Sequence, residues 1–183
     1  RKLSALLEDA LSDARQCHDQ KHKGAPLDYD GLFRLVFRLL AAKVLGDRGH
    51  QGEWLLPDVG TVIRNVEEFY FQSRPTPPAL DDRDIQDVVW GRIRNAFHFQ
   101  NLSVDALADV YGNTLVSPET RKRHGTHATP PQIAELLVRH LPFGEFPLDE
   151  LRVIEPCAGH GVFLVAAMRR MRDLLPLNMT VRK

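Results

Sequence analysis

The chain has 183 residues with 24 basic and 24 acidic side chains, so no net charge draws it as a whole toward nucleic acid. Apolar content of 43% and charged content of 26% suit a globular protein of one domain or two small ones. No apolar run nears the roughly 20 residues that a membrane-spanning helix needs, which excludes a bilayer-spanning segment of that kind. Two cysteines, Cys17 and Cys157, stand far apart in unlike settings, and a reduced, cytoplasmic protein is expected. With Arg1 first and no secretory pattern, the chain is expected to be a piece of a longer one.

Leu3, Leu6, Leu7, Ala10, Leu11 and Ala14 fall on one helical face, with Glu8, Asp9 and Asp13 among the polar positions. The stretch Ala25 to Asp30 breaks that helix, and Asp28 or Asp30 caps the next. That second helix is the most apolar: Leu32, Phe33, Leu35, Val36, Leu39, Leu40, Val44 and Leu45 wrap most of its circumference. It should be central to a bundle, with Arg34, Arg38 and Lys43 at its edge. After the polar loop Gly46 to Gly52, Val59, Val62, Ile63, Val66, Phe69 and Tyr70 form a third stripe. Pro75-Thr76-Pro77-Pro78 stops it. Asp81 or Asp82 then caps a helix carrying Ile85, Val88, Val89, Ile93, Ala96 and Phe97. Ser103 caps one carrying Leu107, Val110 and Tyr111. No strand pattern or repeat interrupts this part, so residues 1–115 read as an all-helical domain.

Residues 112–128 form a connector whose Arg121-Lys122-Arg123-His124 is the densest basic run in the chain. Thr129-Pro130-Pro131-Gln132 then reads as a helix start: Thr129 as N-cap, Pro130 first, Gln132 closing a capping box. Ile133, Leu136, Leu137 and Leu141 supply its apolar face. A Pro/Gly-rich loop, Pro142 to Pro147, leads to Leu151-Arg152-Val153-Ile154-Glu155, which reads as a short buried strand. Pro156-Cys157-Ala158-Gly159-His160-Gly161 is a tight turn, and apolar spacing from Val162 through Leu175 marks a closing helix. Glycines suit such a turn because the backbone bends sharply and a ligand can approach main-chain amides without meeting a Cβ.

The loop has the form E-P-x-x-G-x-G-x-F, and the T-P-P helix start precedes it. This order resembles the γ-type arrangement of N6-adenine DNA methyltransferases that use S-adenosylmethionine, in which a T-P motif comes before [DE]-P-x-x-G-x-G. Arg121 to Gly125 and Val104 to Gly112 resemble the approach to that motif. Leu35 to Gly49 is similar to the helical N-terminal region of large restriction–modification and phage-defence methylases. The likeness is specific over residues 121–164 and looser before them.

The resemblance implies a mainly α fold: a helical domain over 1–115, then, over 116–183, the truncated helix–strand–helix start of a Rossmann-like α/β core. It implies that Thr129 meets the methionine end of S-adenosylmethionine. Glu155 would accept from the cofactor ammonium or organise the loop. The backbones of Cys157 and Gly159 would line the pocket, and Gly161 would permit close approach. Pro130, Pro156, Ala158 and Phe163 complete the implied cofactor-binding set. Cys157 stands where alanine is common in that family, and Ala128 where an aromatic or polar residue often precedes T-P. Double-stranded DNA and partner subunits of a restriction or defence system would be its partners, with no membrane.

Adenine N6 is a poor nucleophile, and the family meets it with [DNS]-P-P-[YFW], whose acceptors engage the amino group and whose aromatic stacks on the flipped base. The P-P pairs here, Thr76-Pro77-Pro78-Ala79 and Thr129-Pro130-Pro131-Gln132, have neither the acceptor nor the aromatic. No catalytic residue is therefore assigned, and the chain alone is expected to be inactive. Arg121, Lys122 and Arg123 are the candidate DNA contacts, with a solvated basic loop as the bland account. Cys17 and His18 with His22 form at most one edge of a metal site, so no metal is assigned. A different class remains open: a helical DNA- or protein-binding module with a vestigial glycine loop. A methyltransferase acting on protein or RNA is disfavoured by the position of T-P.

Overall fold

The computed structural model describes residues 2–72, 74–103, 106, 129–147, 149–159 and 161–175. The chain divides into two compact units, Arg1–Leu102 and Ser103–Lys183. Among the described residues both are helical, with no strand. No helix among them is long and apolar enough to cross a membrane.

The first unit holds α1 (Lys2–Lys21), α2 (Tyr29–Asp47), α3 (Val59–Phe71) and α4 (Arg83–Arg94). α2 packs against both α3 and α4, and α1 packs on α4. The wide apolar stripe of α2 explains its central place: Leu32, Leu35, Val36 and Leu39 are wholly buried. They meet Val59, Val62 and Val66 of α3 and Ile85, Val89, Trp90 and Ile93 of α4 in one core. Each such side chain contributes about 1.5–3 kcal/mol by leaving water. Aspartates start three of the helices. Asp28 accepts from Gly31 N–H (2.9 Å), Asp58 from Thr61 N–H (2.8 Å), and Asp82 from the amides of Asp84 and Ile85. A carboxylate there satisfies first-turn donors and faces the positive end of the helix dipole. Asp28 and Asp82, rather than Asp30 and Asp81, therefore take the cap positions.

Two expectations for this unit are corrected. Arg38 and Lys43 lie in the buried part of α2 and not at its edge. Prolines lack N–H groups, so the 75–78 link presents carbonyls that need donors from elsewhere. Arg38 Nη2 donates to Pro77 O (2.8 Å), and Arg34 Nε to Pro78 O (2.7 Å). Arg38 Nε lies 2.8 Å from Glu67 Oε1, an ion pair rather than an aligned hydrogen bond. The second correction is at α4, which stops at Arg94, so Ala96 and Phe97 lie beyond it. Ser103 Oγ accepts from Ala106 N–H at 3.1 Å, a cap bond; Leu107, Val110 and Tyr111 fall outside the described residues.

The second unit contains α5 (Pro131–Arg139), a single 3₁₀ turn (Phe143–Glu145) and α6 (Val162–Asp173), with α5 packed on α6. Its core is small: Ala134, Val138, Phe143, Ala166 and Ala167, flanked by Leu151, Val162, Phe163, Met171 and Leu174. The alanines let the two helices approach closely. The expected apolar face of α5 is turned outward: Ile133, Leu136, Leu137 and, just past the helix, Leu141 are each about half exposed. Met168, expected in the α6 stripe, is also exposed.

The strand expected over 151–155 is absent. Residues 151–155 carry no ladder, Val153 is exposed, and Ile154 is 86% exposed. Apolar alternation favours a strand only where a neighbouring strand takes up its backbone groups, and none does so among the described residues.

Candidate functional site

The predicted cofactor residues sit at the starts of α5 and α6 and in the chain between. At α5 the cap is one residue later than expected: Pro130 is the N-cap and Pro131 the first helical residue. Pro130 O accepts from the amides of Ile133 (3.0 Å) and Ala134 (3.1 Å), and no side chain caps this end. The capping box of Thr129 and Gln132 is thus not formed. Two successive prolines explain the shift, because the residue before a proline is pushed out of the helical region. Pro131 forces Pro130 into extended backbone (ψ 137°), which suits a cap and not a first turn. Thr129 lies half-buried just outside the helix, its hydroxyl not spent on capping.

At α6 the glycine turn is built as its composition requires. Gly159 (φ +52°) and Gly161 (φ +78°) both occupy the left-handed region, which a Cβ disfavours. Among the described residues, nothing beyond their chain neighbours lies within 4 Å of where a Cβ on either would stand. Gly161 N–H donates to Ala158 O (2.6 Å), closing the turn, and Gly161 O accepts from Val165 N–H (2.9 Å), starting the helix. Gly161 is the N-cap, with no side chain bonded to the first-turn amides. Pro156 and Cys157 are exposed, Ala158 is half-buried, and the Cys157 thiol is free.

Glu155 precedes this turn, and its Oε2 is shielded from water with no hydrogen-bond partner among the described residues. A buried acceptor left unpaired costs roughly 1–3 kcal/mol, more when ionised. Phe163 packs against the alanine cluster between α5 and α6 and so anchors the start of α6. Arg121, Lys122 and Arg123 fall outside the described residues.

One concavity in this unit was not foreseen from the sequence. A groove of ≈ 440 Å³ between α5 and α6 is lined by Glu135, Val138, Arg139, Ala166, Arg169, Arg170, Arg172 and Asp173. Its residues do not include Thr129, Glu155 or the glycines. Arg169-Arg170-x-Arg172 is visible in the sequence as a basic cluster, but its meeting with Arg139 depends on how α5 packs on α6.

In the first unit, the Cys17, His18 and His22 group is already engaged. His18 Nε2 bonds the Ala25 carbonyl (3.0 Å), and His22 Nε2 bonds Asp82 Oδ2 (3.0 Å). Burial, with Asp82 and Asp84 nearby, pushes the Cys17 thiol pKa up, away from thiolate. No group of three metal-ligand side chains gathers among the described residues. Burial pushes the Asp82 carboxyl up, but bonds from His22 and the Ile85 amide outweigh it and hold the pKa below the usual range.

Compared with models of known protein families, with curated proteins and with solved structures, the chain matches none.

Proposed function

We propose that this chain carries the cofactor-binding opening of an S-adenosylmethionine-dependent methyltransferase, whose complete form methylates adenine N6 in specific DNA sequences. Restriction–modification or phage defence is the setting the resemblance favours. The observation that carries the proposal is the left-handed turn of Gly159 and Gly161, which follows Glu155, whose Oε2 has no hydrogen-bond partner among the described residues. The Glu155 carboxylate would accept from the cofactor ammonium group. The residues present fit the cofactor's amino-acid end in other ways too. The uncapped first turn of α6 presents amides to a carboxylate. The space beside Gly159 and Gly161, unfilled among the described residues, admits a ligand against main chain, and the Thr129 hydroxyl is not committed to a cap.

Bound cofactor supplies an electrophilic methyl group on a sulfonium. The chain's own residues would bind and orient it: Glu155 the ammonium, the α6 amides the carboxylate, Phe163 the packing that holds the turn in place. Residues 151–155 would be the first strand of the Rossmann-like core. Exposed Val153 and Ile154, with Leu136 and Leu137 on α5, are the apolar surface that such a sheet would cover. Because no [DNS]-P-P-[YFW] occurs in the 183 residues, the proposal assigns cofactor binding to this chain and methyl transfer to the complete enzyme.

Equilibrium dialysis of the chain against labelled S-adenosylmethionine tests this. Saturable uptake is expected, weakened at least tenfold by Glu155→Gln, about the value of one charged hydrogen bond. No saturable uptake by the complete enzyme, or uptake indifferent to Glu155→Gln, sinks the reading. Duplex binding without cofactor uptake would select the non-enzymatic helical module instead.

A further inference from the structure

We propose that the groove between α5 and α6 is a phosphate-binding site that takes the backbone of a nucleic-acid duplex. Four arginines line it, Arg139, Arg169, Arg170 and Arg172, with two acidic residues, Glu135 and Asp173. The carboxylates are already used: Glu135 Oε1 pairs with Arg169 Nη1 (2.5 Å), and Asp173 Oδ1 lies 3.5 Å from Arg172 Nη2. Among the described residues, Arg139 and Arg170 have no carboxylate partner.

Arginines at helix C-termini often only complement the helix dipole, and Arg139, Arg170 and Arg172 lie in last turns. That role does not require residues of two helices to share one concavity, nor two of the four to lack a carboxylate partner among the described residues. An anion with several acceptor oxygens accounts for both. Phosphate suits it because its oxygens match the planar fork of a guanidinium. The volume, ≈ 440 Å³, exceeds what one free phosphate fills and leaves space for the adjoining sugar of a chain. The choice of a duplex as source rests on the methyltransferase reading; the phosphate chemistry does not.

Fluorescence anisotropy of the chain with a labelled duplex, without cofactor, tests the site. Two unpaired arginines imply about two neutralised phosphates and a log–log salt slope of about −1.8, or roughly tenfold weaker binding between 50 and 200 mM salt. Arg139 is exposed, so Arg139→Ala should fold normally while flattening the slope by about 0.9; Arg139→Lys should restore most of it. Arg170→Lys, which keeps the charge but loses the planar guanidinium fork, should weaken binding without flattening the slope. Arg64→Ala, in the other unit, serves as control. A competition arm with inorganic phosphate against chloride at equal ionic strength should displace the duplex from the unmodified chain and not from Arg139→Ala. Duplex affinity and salt slope unchanged in folded Arg139→Ala and Arg170→Lys overturn the proposal, as does the absence of both duplex and phosphate binding. Because no cofactor is present, these outcomes are independent of the Glu155 dialysis.

Discussion

Asp47, at the end of α2, is the most consequential polar residue of the helical unit, and its replacement by alanine tests how that unit is held. Its carboxylate is 1% exposed and faces the Lys43 ammonium, itself 4% exposed, at 3.0 Å. The same carboxylate accepts the Phe99 backbone N–H at 2.7 Å and lies 3.3 Å from the largely exposed His98 Nδ1. Lys43 Nζ also sits 5.8 Å from the centre of the Phe99 ring, so ion pair, amide and ring form one knot. Asp47→Ala leaves a buried ammonium and a buried amide without partners. Stranding one member of a buried pair costs about 3–5 kcal/mol. The orphaned amide, about 1–3 kcal/mol alone, overlaps with this and does not simply add. Against a total of about 5–15 kcal/mol for a domain, Asp47→Ala should lower Tm by at least about 12 °C. Urea unfolding followed by circular dichroism reads the loss. Lys43→Met combined with Asp47→Asn removes both charges and keeps an acceptor for Phe99, so it should recover at least half of it. A cost below about 1 kcal/mol for Asp47→Ala, or no recovery in the double variant, would refute the argument that the buried charge dominates.

Three further outcomes are expected. Ile154→Asp should change stability by less than about 0.5 kcal/mol, since the side chain is already in water; a loss above about 2 kcal/mol by urea titration would mean that residues 151–155 pack as a buried strand. Gly161→Ala should cost about 1–2 kcal/mol from its left-handed φ alone, there being no atom among the described residues for the new Cβ to strike, and an unchanged urea midpoint would contradict that φ. Acid unfolding should depend on Asp58, whose carboxyl is held well below the usual range by hydrogen bonds from Thr61 and then Arg83. A depressed folded pKa gives stability that is fully present above the ordinary carboxylate value, about 3.9, and lost as pH falls below it toward the folded pKa. Asp58→Ala should therefore flatten the fall in urea midpoint below about pH 4; an identical slope in both proteins rules out the linkage.

The four-helix first unit was legible because its stripes are wide, its helices long and its breaks marked by Pro75 to Pro78 and by capping aspartates. Lys43 and Arg38 misled, since a charge on an apolar helix reads as an edge until its buried partner is known. Pro130 and Pro131 misled by one residue, because either proline alone is a good first helical residue and only the pair fixes which one serves. Leu136, Leu137 and Ile154 misled most. Apolar spacing marks a face for burial without naming what covers it, and here the alanines of α5 and α6 made the contact instead.

By itself, then, the sequence determined the helical class, helix starts at the aspartates around positions 28–30 and 81–82, and a tight glycine turn over 156–161. Those features depend on neighbours a few residues away, and local chemistry is enough to dictate them. Tertiary structure alone decided that Asp47 and Lys43 are buried together, that Glu155 Oε2 lacks a donor among the described residues, and that Arg139 meets Arg169, Arg170 and Arg172 in one groove. Each of those depends on distant segments meeting, and desolvation and charge take their strength from that meeting.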